Sequence, residues 1–118
     1  MTSRREVIEY CMTLPLAYED YPFDDPNWTV MRRKDTKKGF AWIFEREGKI
    51  WLNVKTDPGW GAFWRDVYPS VLPAYHMNKT HWNSVILDGT VPAEEIMAMI
   101  VRSHDLCGKK KQRQAAPD

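Results

Sequence analysis

The chain has 118 residues, of which 43% are hydrophobic and 13% aromatic, and its 17 basic and 16 acidic side chains give a formal net charge of +1. This composition excludes a chain that is disordered throughout, and the length suits one domain with its own core. No apolar run approaches the roughly 18 residues of a membrane helix, so we expect no membrane partner and a cytoplasmic location. The near-zero net charge neither predicts nor forbids a polyanionic partner.

The first predicted element is a helix over residues 3–14. Ser3 and Glu6 have the spacing of a capping box, which satisfies backbone N–H groups at a helix start, and Pro15 ends the helical pattern. The apolar positions in between recur at helical spacing: Val7, Ile8, Cys11 and Leu14. Residues 15–27 contain three prolines and four acids without a sustained period, which predicts an extended acidic loop.

Three strands of an antiparallel meander are predicted next, over residues 28–32, 40–46 and 49–55. The connections between them are turns of a few residues, whereas parallel strands need crossovers of a dozen or more. In the third strand two sets of residues alternate: Ile50, Leu52 and Val54 in one, and Lys49, Trp51, Asn53 and Lys55 in the other. This alternation predicts that one face of the strand lies in the core and that the other is partly exposed to water.

A short helix and two further strands follow. Pro58 is a favoured first-turn residue and Pro69 cannot continue a helix, so we expect a helix between them. Strands are predicted over residues 71–75 and 82–87. Between them lies a stretch dense in polar and aromatic side chains, which we call the motif loop (residues 76–82) and which contains His76, Asn78, Lys79, His81 and Trp82.

The last predicted helix begins at Pro92 and ends at Gly108. Its inward positions recur at helical spacing: Ile96, Met97, Ile100, Val101, His104 and Cys107. Residues 109–118 are basic and have no apolar period, so we expect them to form a disordered tail. The chain is therefore expected to be one domain, residues 1–108, followed by this tail.

The order of the elements predicts an α+β fold of two layers. We expect a five-stranded, mostly antiparallel sheet with the N- and C-terminal helices packed on one face. The pattern leaves the order of the strands within the sheet open.

The motif loop and its flanks also resemble a known family. The segment Pro73–Trp82, PAYHMNKTHW, followed by a strand and Asp88-Gly89, is similar to the hallmark segment of the MmcQ/YjbR family. The resemblance covers residues 5–107, although family members more often have Tyr at the position of His104. It implies a CyaY-like (frataxin-like) fold and DNA binding through a double wing.

The motif-loop side chains have a structural as well as a functional interpretation. His76 and Asn78 are suited to hydrogen-bond the loop backbone, and Trp82 is suited to anchor the sheet to a helix. His76 and His81 are five residues apart, which does not give the i, i+4 pair of a zinc helix, so we expect no metal site.

No complete catalytic motif is present, so we expect neither enzymatic activity nor a cofactor. Asp88 precedes Gly89 and is explained by turn chemistry. Cys11 and Cys107 fall on predicted helix faces, where a buried reduced thiol is the usual state in a cytosolic protein.

The placement of the basic residues supports a nucleic-acid partner. Five of them surround the first hairpin, where Asp35 alone opposes them: Arg32, Arg33, Lys34, Lys37 and Lys38. Lys55 and Lys79 would add contacts to phosphates, and Trp28 or Trp51, if exposed, would stack on unpaired bases. A basic hairpin is also typical of a solvated sheet edge that discourages strand pairing, and the family resemblance favours DNA.

The alternative hypothesis is a small module that binds a protein or a small ligand through an aromatic surface. That surface would consist of Trp60, Trp64, Tyr75 and Trp82. DNA binding predicts steep salt dependence, whereas an aromatic interface predicts salt-tolerant association. In both cases we expect a monomer.

Overall fold

The computed structural model describes residues 1–109 and contains one antiparallel sheet in the order β1-β2-β3-β4-β6-β5. Its strands are β1 (Ala17–Asp20), β2 (Thr29–Arg33), β3 (Gly39–Arg46), β4 (Lys49–Lys55), β5 (Val71–Pro73) and β6 (Trp82–Ile86). The helices are α1 (Arg4–Cys11), α2 (Pro58–Val67) and α3 (Ala93–Leu106). The α+β class is confirmed, with six strands instead of the expected five. Apart from Lys109, the expected tail lies outside the described residues.

Local sequence signals determine where the helices begin. Ser3 Oγ accepts a hydrogen bond from the Glu6 N–H at 3.2 Å, and Glu6 Oε1 accepts from the Ser3 N–H at 3.1 Å, so the expected capping box is present. Asp57 caps α2 by accepting from the Trp60 N–H at 3.2 Å. None of the helices in residues 1–109 is long and apolar enough to cross a membrane.

The sixth strand, β1, lies where the sequence predicts an extended acidic loop. That prediction is wrong for residues 17–20, which pair with β2 from Ala17 opposite Arg33 to Asp20 opposite Val30. In this edge strand only Ala17 is buried. Because backbone hydrogen bonds to β2 hold the strand, it needs almost no hydrophobic pattern and leaves almost none in the sequence.

One face of the sheet packs against the helices and forms the core. It consists of apolar residues from the central strands and from α1 and α3: Val7, Ile8, Cys11, Met31, Ile43, Leu52, Val54, Val85, Ile96, Met99 and Ile100. Ser103 provides a buried polar link in this layer. Its Oγ donates to the Phe40 carbonyl at 2.6 Å and accepts from the Lys55 N–H at 2.8 Å, which fixes the last turn of α3 against β3 and β4.

The opposite face of the sheet is also buried at its centre. Trp51 and Asn53 of β4 are 7% and 0% exposed, so the expectation that this side of the strand is partly exposed to water is wrong for both. Asn53 Nδ2 donates to the Tyr75 carbonyl at 2.9 Å, because the chain after β5 folds across this face. Alternation shows which side chains share a face, but it does not show what covers that face.

Both cysteines are buried free thiols. Burial raises the pKa of the Cys11 thiol to about 12 and also raises the pKa of the Cys107 thiol. Both residues are therefore packing groups and poor nucleophiles.

Candidate functional site

The sheet topology brings the predicted basic residues to one end of the molecule. Because neighbouring strands are antiparallel, β2 and β4 end where β3 and β6 begin. The C-terminal end of α3 lies there as well, since the Lys55 N–H bonds to Ser103. We call this region the basic end and define it as residues 33–38, 55–57, 76–82 and 102–109.

Hydrogen bonds connect the separate segments of the basic end. Thr36 Oγ1 donates to the Cys107 carbonyl at 2.8 Å, which fastens the turn between β2 and β3 to the end of α3. The Thr56 N–H donates to the His81 carbonyl at 2.8 Å, which fastens the motif loop to the segment after β4. The basic end is therefore a connected surface.

Arg33 does not belong to the exposed part of that surface. Arg33 is only 7% exposed. Its guanidinium donates two 3.0 Å hydrogen bonds to the Asp35 carboxylate and a third to the His104 carbonyl. The hydrogen bonds from Arg33 lower the pKa of the Asp35 carboxyl. Arg33 therefore stabilises the turn and the end of α3, and its assignment as a phosphate contact is wrong.

Arg32 is also engaged within the protein. Its Nε donates to Asp20 at 2.7 Å, its Nη1 donates to the Lys37 carbonyl at 3.0 Å, and its guanidinium lies 5.8 Å from the centre of the Trp42 ring. These contacts hold the charge beside an acidic strand and an aromatic ring, which makes Arg32 a poor candidate for a phosphate contact.

Six lysines lie in the basic end, and the five that precede α3 in the sequence remain as candidates for contacts with an anion: Lys34, Lys37, Lys38, Lys55 and Lys79. Lys55 is half-buried and the others are exposed. Lys79 Nζ donates to the Ala74 carbonyl at 3.0 Å, and Lys37 Nζ lies 5.6 Å from the centre of the Tyr18 ring. These two ammonium groups therefore have defined positions.

The basic end has a strong excess of positive charge. Its segments contain eight lysines and arginines and three acids. Asp35 is paired with Arg33, and Asp57 is paired with Arg102 at 2.6 Å, so two of the three acids are already neutralised by neighbours. Asp105 is the third.

Asn78 organises the tip of the motif loop. Its Oδ1 accepts from the Thr80 N–H at 2.9 Å and from the His81 N–H at 3.2 Å. This is the turn chemistry that asparagine side chains commonly provide. The expectation that Asn78 hydrogen-bonds the loop backbone is confirmed.

His76 does not make the expected backbone contact. It has a left-handed φ of 65°, and its ring packs on Tyr75 with the ring centres 4.0 Å apart. Its imidazole forms no hydrogen bond with the described residues. Within residues 1–109, no group of three or more His, Cys, Asp or Glu side chains is placed to hold a metal ion.

The expected aromatic surface is divided between the two sides of the sheet. Trp60 and Trp64 lie on α2 with their ring centres 5.4 Å apart, whereas Tyr75 packs on Phe44 on the face away from the helices. Trp82 pairs with Lys55, and strand alternation places it on that second face as well. The expectation that Trp82 anchors the sheet to a helix is therefore wrong.

A larger aromatic cluster, which the residue pattern does not predict, covers the face away from the helices. Phe44 packs against Trp28 with ring centres 4.3 Å apart, and against Tyr75 at 5.8 Å. The Arg46 guanidinium lies 4.8 Å from the Trp51 ring centre and 4.4 Å from that of Tyr75. Trp28 and Trp51 thus pack within the cluster and are not freely exposed stacking platforms. In the sequence, the only sign of this cluster is the high aromatic content of the segments that form it.

The chain matches the model of the YjbR family over residues 12–106. Protein YjbR of Escherichia coli K12 is 31% identical over 99 residues, which cover 84% of this chain and 81% of that protein. Protein YbdF of Escherichia coli O157:H7 is 36% identical over 86% of this chain and 73% of its own length, and YyaQ of Bacillus subtilis is 30% identical over 90% and 98%. None of these names states an activity.

Solved structures share the fold. The crystal structure of Deinococcus radiodurans protein DR2400, a DUF419 domain, has a TM-score of 0.84 and 34% sequence identity, covering 94% of this chain and 82% of that one. A crystal structure of a Pseudomonas syringae protein has a TM-score of 0.80 and 29% identity, covering 90% and 99%.

Proposed function

The chain belongs to the YjbR family, and on that premise we propose that it is a DNA-binding protein, without enzymatic activity, that contacts duplex phosphates through its basic end. The observation that carries the proposal is the sheet topology, which brings lysines from separate segments to the basic end. A net charge of +1 that is spread evenly would not attract DNA. Positive charge concentrated at one end orients a nearly neutral molecule toward a polyanion.

The number of lysines that no carboxylate pairs with among the described residues sets the expected salt dependence. Five lysines that each neutralise one phosphate give a slope of about −4 to −5 for the logarithm of the binding constant against that of the salt concentration. Arg32 and Arg33 do not add to this number because Asp20 and Asp35 hold them. The turn between β2 and β3 and the motif loop would be the two projections of the double wing that the family resemblance implies.

The chemistry of the basic end favours contacts with phosphates over contacts with bases. A lysine ammonium is a compact point charge without the planar geometry that arginine uses to recognise a base edge. The aromatic rings of the cluster around Phe44 pack against one another on a face of the sheet. We therefore expect duplex binding with little sequence preference.

Lys79→Ala tests the proposal against a matched control. It should weaken binding to unrelated duplexes alike and lower the magnitude of the salt slope by about one. Lys49→Ala removes another exposed lysine from the opposite end of the sheet, where β4 begins, and should leave the slope unchanged. Fluorescence anisotropy over a series of salt concentrations measures both, and urea denaturation checks that the variants remain folded.

Two outcomes would contradict the proposal. The first is that the parent protein shows no measurable duplex affinity at low salt. The second is that Lys79→Ala and Lys49→Ala reduce binding equally, because net charge and not the basic end would then be responsible.

A second candidate function is protein binding through α2. Trp60, Phe63 and Val67 on this helix are 46%, 49% and 46% exposed, an apolar surface of the kind that serves as a contact between proteins. Association there should tolerate salt and be lost in Phe63→Ser, which removes an exposed ring without opening the core. Steep salt dependence of the association would contradict this candidate.

A further inference from the structure

A pocket of about 390 Å³ opens on the face of the sheet away from the helices. Its walls are Phe23, Trp28, Trp42, Met77 and His76, and Asp25 is its acidic group. The volume lies toward the small end of the roughly 300–1,000 Å³ that small-molecule sites occupy. None of the five lysines proposed to bind DNA lines it.

The aromatic walls present their rings in different orientations. The Phe23 and Trp28 rings are nearly perpendicular, at 81° with centres 6.2 Å apart, and Phe23 and Trp42 are tilted by 33° with centres 6.4 Å apart. Rings at such angles can surround one compact group, and the negative faces of their π systems attract a cation. Trp42 and Trp28 are both half-buried, so their rings are only partly hydrated before a ligand arrives.

The same face already holds two cations of the chain itself. The Arg46 guanidinium lies over the Tyr75 and Trp51 rings, and Arg32 lies over Trp42. Within residues 1–109 no lysine or arginine lines the pocket. Arg32 therefore shares the Trp42 wall of the pocket, whereas the other two aromatic walls, Phe23 and Trp28, have no cation of the described chain over their rings.

The charge around the pocket also favours a cation. Residues 19–25, which supply Phe23 and Asp25 to its walls, contain four acids and no basic residue, and one of the four, Asp20, is paired with Arg32. Asp25 is fixed at the pocket because its Oδ1 accepts from the Asn27 N–H at 2.9 Å. An anionic ligand such as a nucleotide would be repelled by this carboxylate, whereas a positive group would be attracted.

We propose that this pocket binds an alkylated ammonium group, carried either by a small choline-like molecule or by a methylated lysine side chain. A primary ammonium has three N–H donors that need acceptors, and the pocket offers mainly rings and one carboxylate. Alkylation removes those donors and reduces the penalty for leaving water. The pocket shares His76 and Met77 of the motif loop with the basic end but none of its lysines, and it does not depend on DNA binding.

Titrations at constant ionic strength test the proposal. The probes are tetramethylammonium, choline and free trimethyllysine, and 3,3-dimethylbutanol serves as the neutral analogue of choline with the same shape. We expect saturable binding of the cations, seen as NMR shifts at the Trp28 and Trp42 indoles, and much weaker binding of the neutral analogue. Tighter binding of choline indicates a small-molecule ligand, and tighter binding of trimethyllysine indicates a modified lysine.

Two pairs of variants locate the site. Phe23→Leu removes a ring but keeps apolar bulk, and should weaken choline binding about three- to tenfold. Phe63→Leu is its control, because both phenylalanines are 49% exposed and Phe63 lies on α2. Asp25→Asn should also weaken binding several-fold, whereas Asp24→Asn, whose side chain does not line the pocket, should have little effect.

Three results would overturn the proposal: no saturable binding of any cation, equal binding of choline and its neutral analogue, or equal effects of Phe23→Leu and Phe63→Leu. Lys79→Ala should leave choline binding unchanged. Failure of DNA binding and failure of this site are therefore distinguishable, because each has its own variants and probes.

Discussion

Arg33 shows how a charged residue in a basic segment can serve the fold. Its guanidinium bridges Asp35 in the same turn and the His104 carbonyl near the end of α3. Gly108 is part of this arrangement, because a Cβ at that position would lie 2.8 Å from Arg33 Nη1. The sequence signal at Gly108 is that of a helix end, and the close approach of Arg33 adds a second reason for a residue without a side chain.

Replacing Arg33 should affect stability directly. Arg33→Met leaves the Asp35 carboxylate and the His104 carbonyl without their donor, so we expect the free energy of unfolding to fall by about 2–4 kcal/mol. Lys34→Met makes the same change at the exposed neighbouring position and should cost less than about 0.5 kcal/mol. Urea denaturation measures both. If Arg33→Met kept full stability and lowered the salt slope of DNA binding, the phosphate assignment would be right after all.

Asp88 should contribute to the dependence of stability on acid. Hydrogen bonds from Ser70 and then Thr90 lower the pKa of its carboxyl to about 2. A folded-state pKa below the unfolded value of about 3.9 stabilises the protein above that unfolded value, and the contribution is lost as the pH falls toward 2. Ser70→Ala should raise the pKa of Asp88 toward its ordinary value, as measured by NMR titration of the carboxyl carbon. The carboxyl of Asp66, on α2, is the internal control; an unchanged Asp88 titration in Ser70→Ala would show that Ser70 is not the cause.

At the scale of elements, the motif loop links the two proposed sites. It supplies Lys79 to the basic end and His76 and Met77 to the pocket. Asn78 holds the tip between them through two backbone hydrogen bonds. One short segment therefore sets the position of residues in both sites.

Two substitutions separate the roles within this loop. Asn78→Ala removes both turn hydrogen bonds and should lower the free energy of unfolding by about 1 kcal/mol. His76→Ala should change it by less than about 0.5 kcal/mol, because the exposed ring makes no hydrogen bond with the described residues. Thermal or urea denaturation decides. A larger loss in His76→Ala than in Asn78→Ala would mean that packing on Tyr75, and not the turn at Asn78, holds the loop.

At the scale of the whole molecule, charge is separated along the strands. The lysines gather where β2 and β4 end, whereas Asp24 and Asp25 lie in the connection between β1 and β2 at the other end. A molecule of net charge +1 can therefore present a basic end to one ligand and an acidic pocket to another.

Deleting residues 109–118 tests the contribution of the C-terminal segment. It removes four basic residues that come after α3 in the sequence: Lys109, Lys110, Lys111 and Arg113. Because the segment has no apolar face to bury, stability should change by less than about 0.5 kcal/mol. Each of these charges that contacts a phosphate adds about one to the salt slope set by the five lysines of the basic end, so the deletion should bring the magnitude of the slope down to about 4 to 5. A melting temperature several degrees lower would show that the segment packs on the domain.

The sequence alone determined the helices, the meander of β2 to β4 and the α+β class. Their signals are local: the capping box at Ser3 and Glu6, Pro58 in the first turn of α2 and the short turns between strands all involve residues a few positions apart. The hydrogen bonds between Asn78 and its own loop backbone could be predicted for the same reason, because the partners are two and three residues away. Such interactions leave a pattern that can be recognised in the order of the residues.

Only the tertiary structure decided the edge strand β1, the position of β6 between β4 and β5, and the roles of the charged and aromatic residues. Arg33 bonds to a carbonyl 71 residues away, and the pocket joins side chains from Phe23 to Met77. Periodicity records which side of an element is apolar, but not which distant element covers that side or which donor meets which acceptor. Those pairings arise when the strands assemble, and they separate the lysines left for a ligand from the arginines held by the fold.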